Sequence, residues 1–176
     1  MSAAKQFTLR FYYQTLTGIL GEPRKFFSEY PREVEWKQSL GFLIISSLFF
    51  TGASLVCNAH QNIFMMGAIL FINAVGMVVI TASLGFMVMV LTVGKRASFT
   101  KFFSLYAFST GVTLLVSWIP LFSLFAEPWK WWLVATGMTK GLGFRWTQAL
   151  LIIGFSIGIL ILFFWTALSL PLSGGR

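Results

Sequence analysis

The sequence predicts an all-α integral membrane protein with five transmembrane helices, preceded by an amphipathic N-terminal helix that lies in the membrane interface. Three observations lead to this fold class. The 176 residues are 57% apolar, with a mean hydropathy of +0.80. Only 10% of them are charged, whereas soluble domains carry about a quarter charged residues. Long uncharged runs alternate with short connectors that hold the basic residues, as expected of a chain that crosses a bilayer repeatedly.

The first element is a polar N-terminal segment, residues 1–38. Apolar residues recur in it at spacings of three and four, with basic and amide side chains between them. This pattern predicts an amphipathic helix whose basic face suits a membrane surface. Gly21 is expected to end that helix and Pro23 to begin a second short one. We therefore expect residues 1–38 to form a cytoplasmic, interfacial segment.

The membrane domain, residues 39–170, is predicted to contain five spans, followed by a short tail, 171–176. The spans lie at about 39–57, 65–93, 102–119, 127–140 and 148–170. Four of them are uncharged and long enough to cross a core of ~30 Å at ~1.5 Å per residue. The fourth is short, because Lys130 and Lys140 are only ten residues apart. It either crosses with its lysines extended toward the headgroups or forms a re-entrant segment.

The distribution of Lys and Arg favours five spans. With the N-terminus inside, eleven basic residues lie in inner segments: Lys5, Arg10, Arg24, Lys25, Arg32, Lys37, Lys95, Arg96, Lys101, Lys140 and Arg145. Only Lys130 and Arg176 lie outside, whereas a re-entrant fourth segment would reduce the asymmetry to ten against three. Since basic loops stay cytoplasmic, we expect a cytoplasmic N-terminus and an external C-terminus, in a prokaryotic cytoplasmic (inner) membrane.

Few residues could support chemistry. The chain has no Asp, and four of its five Glu precede the first span. The four longer spans hold no ionisable side chain of the kind that proton relays and ion carriers use. One histidine, His60, and one cysteine, Cys57, cannot supply a metal site. We expect no catalytic residue, metal or cofactor, and the basic residues are too dispersed to indicate nucleic-acid binding.

Two groups of residues are candidates for contacts. The first precedes span one and is predicted to contact anionic headgroups or a partner, although simple anchoring explains it equally well: Arg10, Pro23, Arg24, Lys25, Phe26 and Phe27. The second comprises two Gly-x-x-x-Gly pairs, whose spacing lets helix backbones approach closely: Gly137 with Gly141, and Gly154 with Gly158. Packing within the chain is favoured over dimerisation for both pairs.

The order of short motifs resembles the Yip (Ypt-interacting protein) domain family. Pro23-Arg-Lys-Phe-Phe27 is similar to the Pro-Arg-x-Phe-Phe segment that precedes the first span in prokaryotic members. Tyr106-Ala-Phe-Ser109 resembles the family's Tyr-Ala-Tyr-Ser stretch, and 129–149 is similar to its fourth-to-fifth segment. Gly111 stands near where many members carry proline. The resemblance implies five membrane helices and a cytoplasmic N-terminus. It does not imply the Rab-GTPase binding of eukaryotic members, whose Asp-Leu-Tyr-Gly-Pro motif is missing.

The sequence therefore predicts a non-enzymatic membrane scaffold or accessory subunit. Its expected partners are a bilayer with anionic headgroups and other membrane proteins, in a complex or a homo-oligomer. The alternative is a carrier or channel for a small apolar or lipid-like solute. Polar, non-ionisable residues within the spans could line its path: Ser46, Ser47, Asn73, Thr81, Ser83, Ser109, Thr113 and Ser117.

Overall fold

A computed structural model describes residues 8–29, 36–57, 62–94 and 97–173, with the side chains of residue 164 and of 167–173 left out. Predictions that involve Lys5, Arg32, His60, Lys95, Arg96 and Arg176 lie outside the described residues. The described segments are helical, and no strand occurs in them. In chain order the helices are α1 (Leu9–Gly21), α2 (Pro23–Glu29), α3 (Trp36–Cys57), α4 (Ile63–Thr92), α5 (Phe99–Ser117), α6 (Pro120–Thr136), a π-helix (Gly137–Gly141) and α7 (Trp146–Ser173).

Four helices, α3, α4, α5 and α7, are long and apolar enough to cross a membrane. They coincide with predicted spans one, two, three and five. Helix α5 is the most enclosed, since 67% of its candidate span is buried, against 33% for α3, 22% for α7 and 11% for α4. The protein is thus a multi-pass, all-helical membrane protein with α5 at the centre of the bundle.

Helix α6 differs from the predicted fourth span at its start. It begins at Pro120 rather than at Glu127, because Ile119 is extended and Pro120 occupies the first helical turn. Glu127 and Lys130 interrupt the apolar run without ending the helix, and Pro128 lies inside it. The helix then continues directly into the π-helix, which ends at Gly141.

Contacts between the helices define their directions. Ser39 Oγ lies 2.9 Å from Ser104 Oγ, and further along both helices the Phe42 and Phe108 rings are 5.3 Å apart, so α3 and α5 run parallel. Helix α4 runs antiparallel to both. Its first half meets the end of α3, where Gly67 approaches Leu55, and its second half meets the start of α5.

Two glycines allow α5 to pack at close range. A Cβ at Gly111 would lie 2.6 Å from Phe42 of α3, and one at Gly85 of α4 would lie 2.7 Å from the Tyr106 hydroxyl. Real Cβ atoms do not tolerate such distances, so both positions require glycine for this packing. Gly111 thus provides the contact surface for Phe42 of α3.

The first N-terminal helix, α1, packs against the bundle. Tyr12, Thr15 and Ile19 form the buried side of α1. The Tyr12 hydroxyl is 3.2 Å from Ser46 Oγ, and its ring is 4.8 Å from that of Phe42. Helix α1 is therefore held by residues six to ten positions beyond Trp36, the first residue of α3.

Candidate functional site

The short helix α2 is anchored to the bundle through its two phenylalanines. Phe27 is only 4% exposed, and a Cβ at Gly137 would lie 3.2 Å from its ring and 2.7 Å from Leu105 of α5. Phe26 packs edge-to-face on Phe108, with ring centroids 5.9 Å apart. Gly137 is therefore the point at which α2, α5 and the π-helix meet.

Next to this junction lies a cleft of about 330 Å³ between α2, the end of α6 with the π-helix, and the start of α7. We call it the Arg24–Lys140 cleft. Its lining combines two cations, two indole rings and two hydroxyls: Arg24, Lys140, Trp132, Trp146, Thr136 and Thr139. None of these six side chains is a carboxylate. The cleft therefore has a positive charge that its own lining does not neutralise.

The lining residues are available to a ligand to different degrees. Arg24 and Lys140 are exposed, and neither has an ion pair within the described ranges. Trp132 and Trp146 are 39% and 47% exposed. Thr139 donates its hydroxyl proton to the Thr136 carbonyl at 3.0 Å. The guanidinium, the ammonium and the indole N–H groups are therefore the donors that the cleft can present to an anion.

Backbone hydrogen bonds hold the connector that shapes the cleft. Phe144 N donates to the Met138 carbonyl at 3.1 Å, across a turn in which Gly143 has a φ of +72°. The Arg145 N–H donates to Gln148 Oε1 at 3.1 Å at the start of α7. A π-helix followed by such a turn often marks a functional site. Here it sets the positions of Lys140 and Trp146.

Lys25 faces a different groove, of about 390 Å³, between α1 and α2. Glu22 and Glu29 also line this groove, and Lys25 Nζ lies 3.6 Å from Glu22 Oε2. Arg10 is exposed on α1 and lines neither the groove nor the cleft. The structure thus separates the cations that the sequence analysis grouped, and Arg24 is the one that enters a positively charged cleft.

The predicted glycine pairs behave differently. Gly141 is half-buried at the end of the π-helix. At Gly154 and Gly158 an added Cβ would meet no described atom within 4 Å, so no described helix packs closely against this pair. Four-residue spacing places two glycines on one helix face but does not decide whether another helix covers that face.

Five residues of the cleft were not singled out from the sequence: Trp132, Thr136, Thr139, Lys140 and Trp146. Lys140 entered only the count of basic residues. A signal was present, because Lys140 and Trp146 are themselves interfacial residue types and flank a short connector. Nothing in the local sequence, however, places that connector beside α2. Within the described ranges, no three His, Cys, Asp or Glu side chains come together in a possible metal site.

Comparison with known proteins agrees with this architecture. No curated protein and no solved structure matches the chain. The Yip1 domain family model matches residues 17–168, which cover both phenylalanines of α2, the π-helix and most of α7. The resemblance noted from the short motifs is thereby confirmed. Because the match extends over most of the chain, this protein belongs to the Yip1 domain family.

Proposed function

We propose that this Yip1 domain protein is a non-enzymatic membrane scaffold or accessory subunit that acts through lipid and protein contacts at one end of its helix bundle. The observation that carries the proposal is the packing of α2 against the π-helix at the end where α3, α5 and α7 begin. Exposed cations gather at the same end: Arg24, Lys25, Lys37, Lys101, Lys140 and Arg145. Such a surface suits anionic headgroups and acidic protein segments.

A five-span topology with a cytoplasmic N-terminus is part of the proposal. Helix α6 and the π-helix contain 17 and 5 residues and would extend about 33 Å at ~1.5 Å per residue, enough to cross the core. Among the described cations outside α1, only Lys130 lies away from the end that carries α2. The positive-inside rule then favours a cytoplasmic position for that end and an external position for the C-terminus.

Helix α1 is proposed to be the amphipathic interfacial helix. One side is buried against α3, while the other exposes both apolar and basic side chains. Leu9 and Tyr13 are 69% and 63% exposed, and Arg10 lies between them in sequence. Exposed apolar groups beside a cation are suited to the boundary between headgroups and acyl chains.

Topology can be tested with single cysteines in a Cys57→Ser background. A membrane-impermeant maleimide added to intact cells should label a cysteine at Asn62 and leave one at Lys37 unlabelled until the cells are opened. A periplasmic alkaline phosphatase fused after residue 173 should be active, because five crossings place the C-terminus outside. An inactive phosphatase, with a green fluorescent protein fusion that fluoresces instead, would show an even number of crossings.

The scaffold role can be tested by purification from native membranes in mild detergent. A scaffold should elute with a reproducible partner or with retained lipid, above the mass of the monomer in its micelle. A charge reversal on α2 at the cleft, Arg24→Glu, should release that material. Recovery of lone monomers without partner or lipid would contradict the role.

A second candidate is a carrier for a small solute, favoured by buried hydroxyls. Five have no hydrogen-bond partner among the described residues: Thr15, Ser47, Thr51, Tyr106 and Ser109. Buried polar groups are normally bonded, so these could serve water or a solute. Ser47 and Ser109 are among the residues predicted to line a path. Asn73 and Ser83 were also predicted to line it, but they are exposed on α4 and lie outside this buried group. Flux or lipid scrambling in proteoliposomes, reduced by Tyr106→Phe, would place the carrier above the scaffold.

A further inference from the structure

We propose that the Arg24–Lys140 cleft binds the phosphate group of a lipid with net negative charge. This inference rests on the lipid contacts of the proposed function and names their site. Two cations meet there from helices far apart in sequence, and no side chain in the lining neutralises them. A guanidinium and an ammonium each donate several hydrogen bonds, and the oxygens of one phosphate can accept bonds from both cations at once.

The indole rings favour an amphiphile over a free anion. Trp132 and Trp146 line the cleft with their rings about half exposed, and Trp side chains are suited to the level of the headgroups. A lipid phosphate is held at that level by its own acyl chains. A free phosphate would accept hydrogen bonds from the indole N–H groups but would gain nothing from the apolar faces of the two rings.

An apolar surface continues from the cleft along α7. Trp146, Leu150 and Gly154 follow at four-residue spacing, which places them along one side of the helix. Leu150 is 50% exposed, and no described atom lies within 4 Å of a Cβ placed at Gly154 or Gly158. The glycine pair that packs against no helix thus leaves a shallow track where an acyl chain can lie while its phosphate occupies the cleft.

The composition of the cleft also selects the headgroup. A zwitterionic lipid brings an ammonium next to its phosphate, and the cleft offers no carboxylate to receive it. Arg24 and Lys140 would repel that second charge. Phosphatidylglycerol, which carries one phosphate and a neutral glycerol, fits the combination of cations and hydrogen-bonding groups.

The test is lipid binding to the purified full chain, measured by native mass spectrometry with phosphatidylglycerol and phosphatidylcholine of matched chains. The wild type should bind phosphatidylglycerol more tightly than phosphatidylcholine. Arg24→Gln with Lys140→Gln should weaken that binding about tenfold or more, because two charge-assisted contacts are lost. The control, Lys25→Gln with Lys101→Gln, removes the same charge away from the cleft and should change affinity by about twofold or less.

Two further measurements distinguish loss of charge from loss of folding, and binding of a lipid from binding of a free anion. Arg24→Lys with Lys140→Arg should keep phosphatidylglycerol binding, provided that its melting temperature matches the wild type. Equal phosphatidylglycerol binding by the wild type and the double glutamine variant would overturn the proposal. The proposal would also be overturned if inorganic phosphate bound to lipid-free protein as tightly as phosphatidylglycerol does, and if that binding depended on Arg24 and Lys140. Purified monomers with neither a partner nor retained native lipid would contradict the scaffold role, and binding of added phosphatidylglycerol could still be measured on them.

Discussion

Lys130 in α6 and Lys140 in the π-helix lie ten residues apart on one continuous helical segment, but their surroundings are opposite. Lys130 is 17% exposed, and its Nζ lies 2.6 and 2.7 Å from the two carboxylate oxygens of Glu127. The same ammonium stands 5.0 Å from the centre of the Trp131 ring. Lys140 is exposed and shares its cleft with a second cation, Arg24.

The difference shows how one helix can hold a charge in two ways. The charge of Lys130 is neutralised by Glu127, three positions earlier in the same helix. Lys130 can therefore lie within a mainly apolar helix, about 15 Å from its first residue, Pro120. Lys140 receives no such partner from its own turn, and α2 adds a positive charge instead. A lysine paired with a carboxylate stabilises its own helix, whereas two cations without a carboxylate form a site that attracts an anion.

The largest expected effect comes from Gly137, which lies between the two lysines. Gly137→Leu would drive a side chain into Leu105 and Phe27, and we expect it to reduce the free energy of unfolding by about 2–3 kcal/mol. It should also detach α2 and open the cleft. Gly52→Leu is the matched control, because a Cβ there meets nothing within 4 Å, and should change stability by about 0.5 kcal/mol or less. Thermal unfolding in detergent measures both, and equal melting temperatures would refute the packing of α2 on the π-helix.

A smaller effect is expected from breaking the compensated pair. Glu127→Gln leaves the Lys130 ammonium without its carboxylate and should cost about 1 kcal/mol, a modest value because Glu127 is 63% exposed. Glu127→Gln with Lys130→Gln should recover most of the loss. Lys140→Gln should cost little or raise stability, since it removes a repulsion. Should Lys140→Gln prove as destabilising as Glu127→Gln in urea or heat denaturation, the contrast between the lysines would be lost.

The smallest effect concerns the attachment of α1 to α3. Tyr12→Phe removes the hydroxyl that lies 3.2 Å from Ser46 Oγ and should cost about 0.6 kcal/mol, the average for such bonds between membrane helices. Ser46→Ala should cost a similar amount, and the two changes together should cost less than their sum. Tyr13→Phe is the control, since Tyr13 is 63% exposed, and should leave the melting temperature unchanged. Full additivity of the Tyr12 and Ser46 variants would mean that the bond contributes nothing.

Much of the helix content could be predicted, because hydropathy acts over consecutive residues. The four long spans coincide with α3, α4, α5 and α7. The start of α6 was missed because Glu127, Pro128 and Lys130 read as an interruption in one dimension. In three dimensions the two charges pair with each other, and the helix continues through them.

The glycine contacts show where sequence reasoning stops. Gly154 and Gly158 have the expected spacing yet face open space, whereas Gly85 and Gly111 make the closest approaches outside any Gly-x-x-x-Gly pair. Spacing identifies residues that share a helix face. Which helix lies opposite that face depends on the packing of the whole bundle, and large side chains such as Phe42 decide where a Cβ cannot fit.

The amino-acid sequence alone determined that this chain forms apolar helices and that its basic residues lie outside the four long uncharged runs. Both properties follow from the transfer of short segments between water and lipid, so they need no tertiary contact. Only the packed bundle decided that Arg24 faces Lys140 while Lys25 faces Glu22, and that Gly137 rather than Gly154 meets another helix. Arg24 and Lys140, like Phe27 and Gly137, are more than a hundred residues apart in sequence, and their steric fit is a property of the assembled structure.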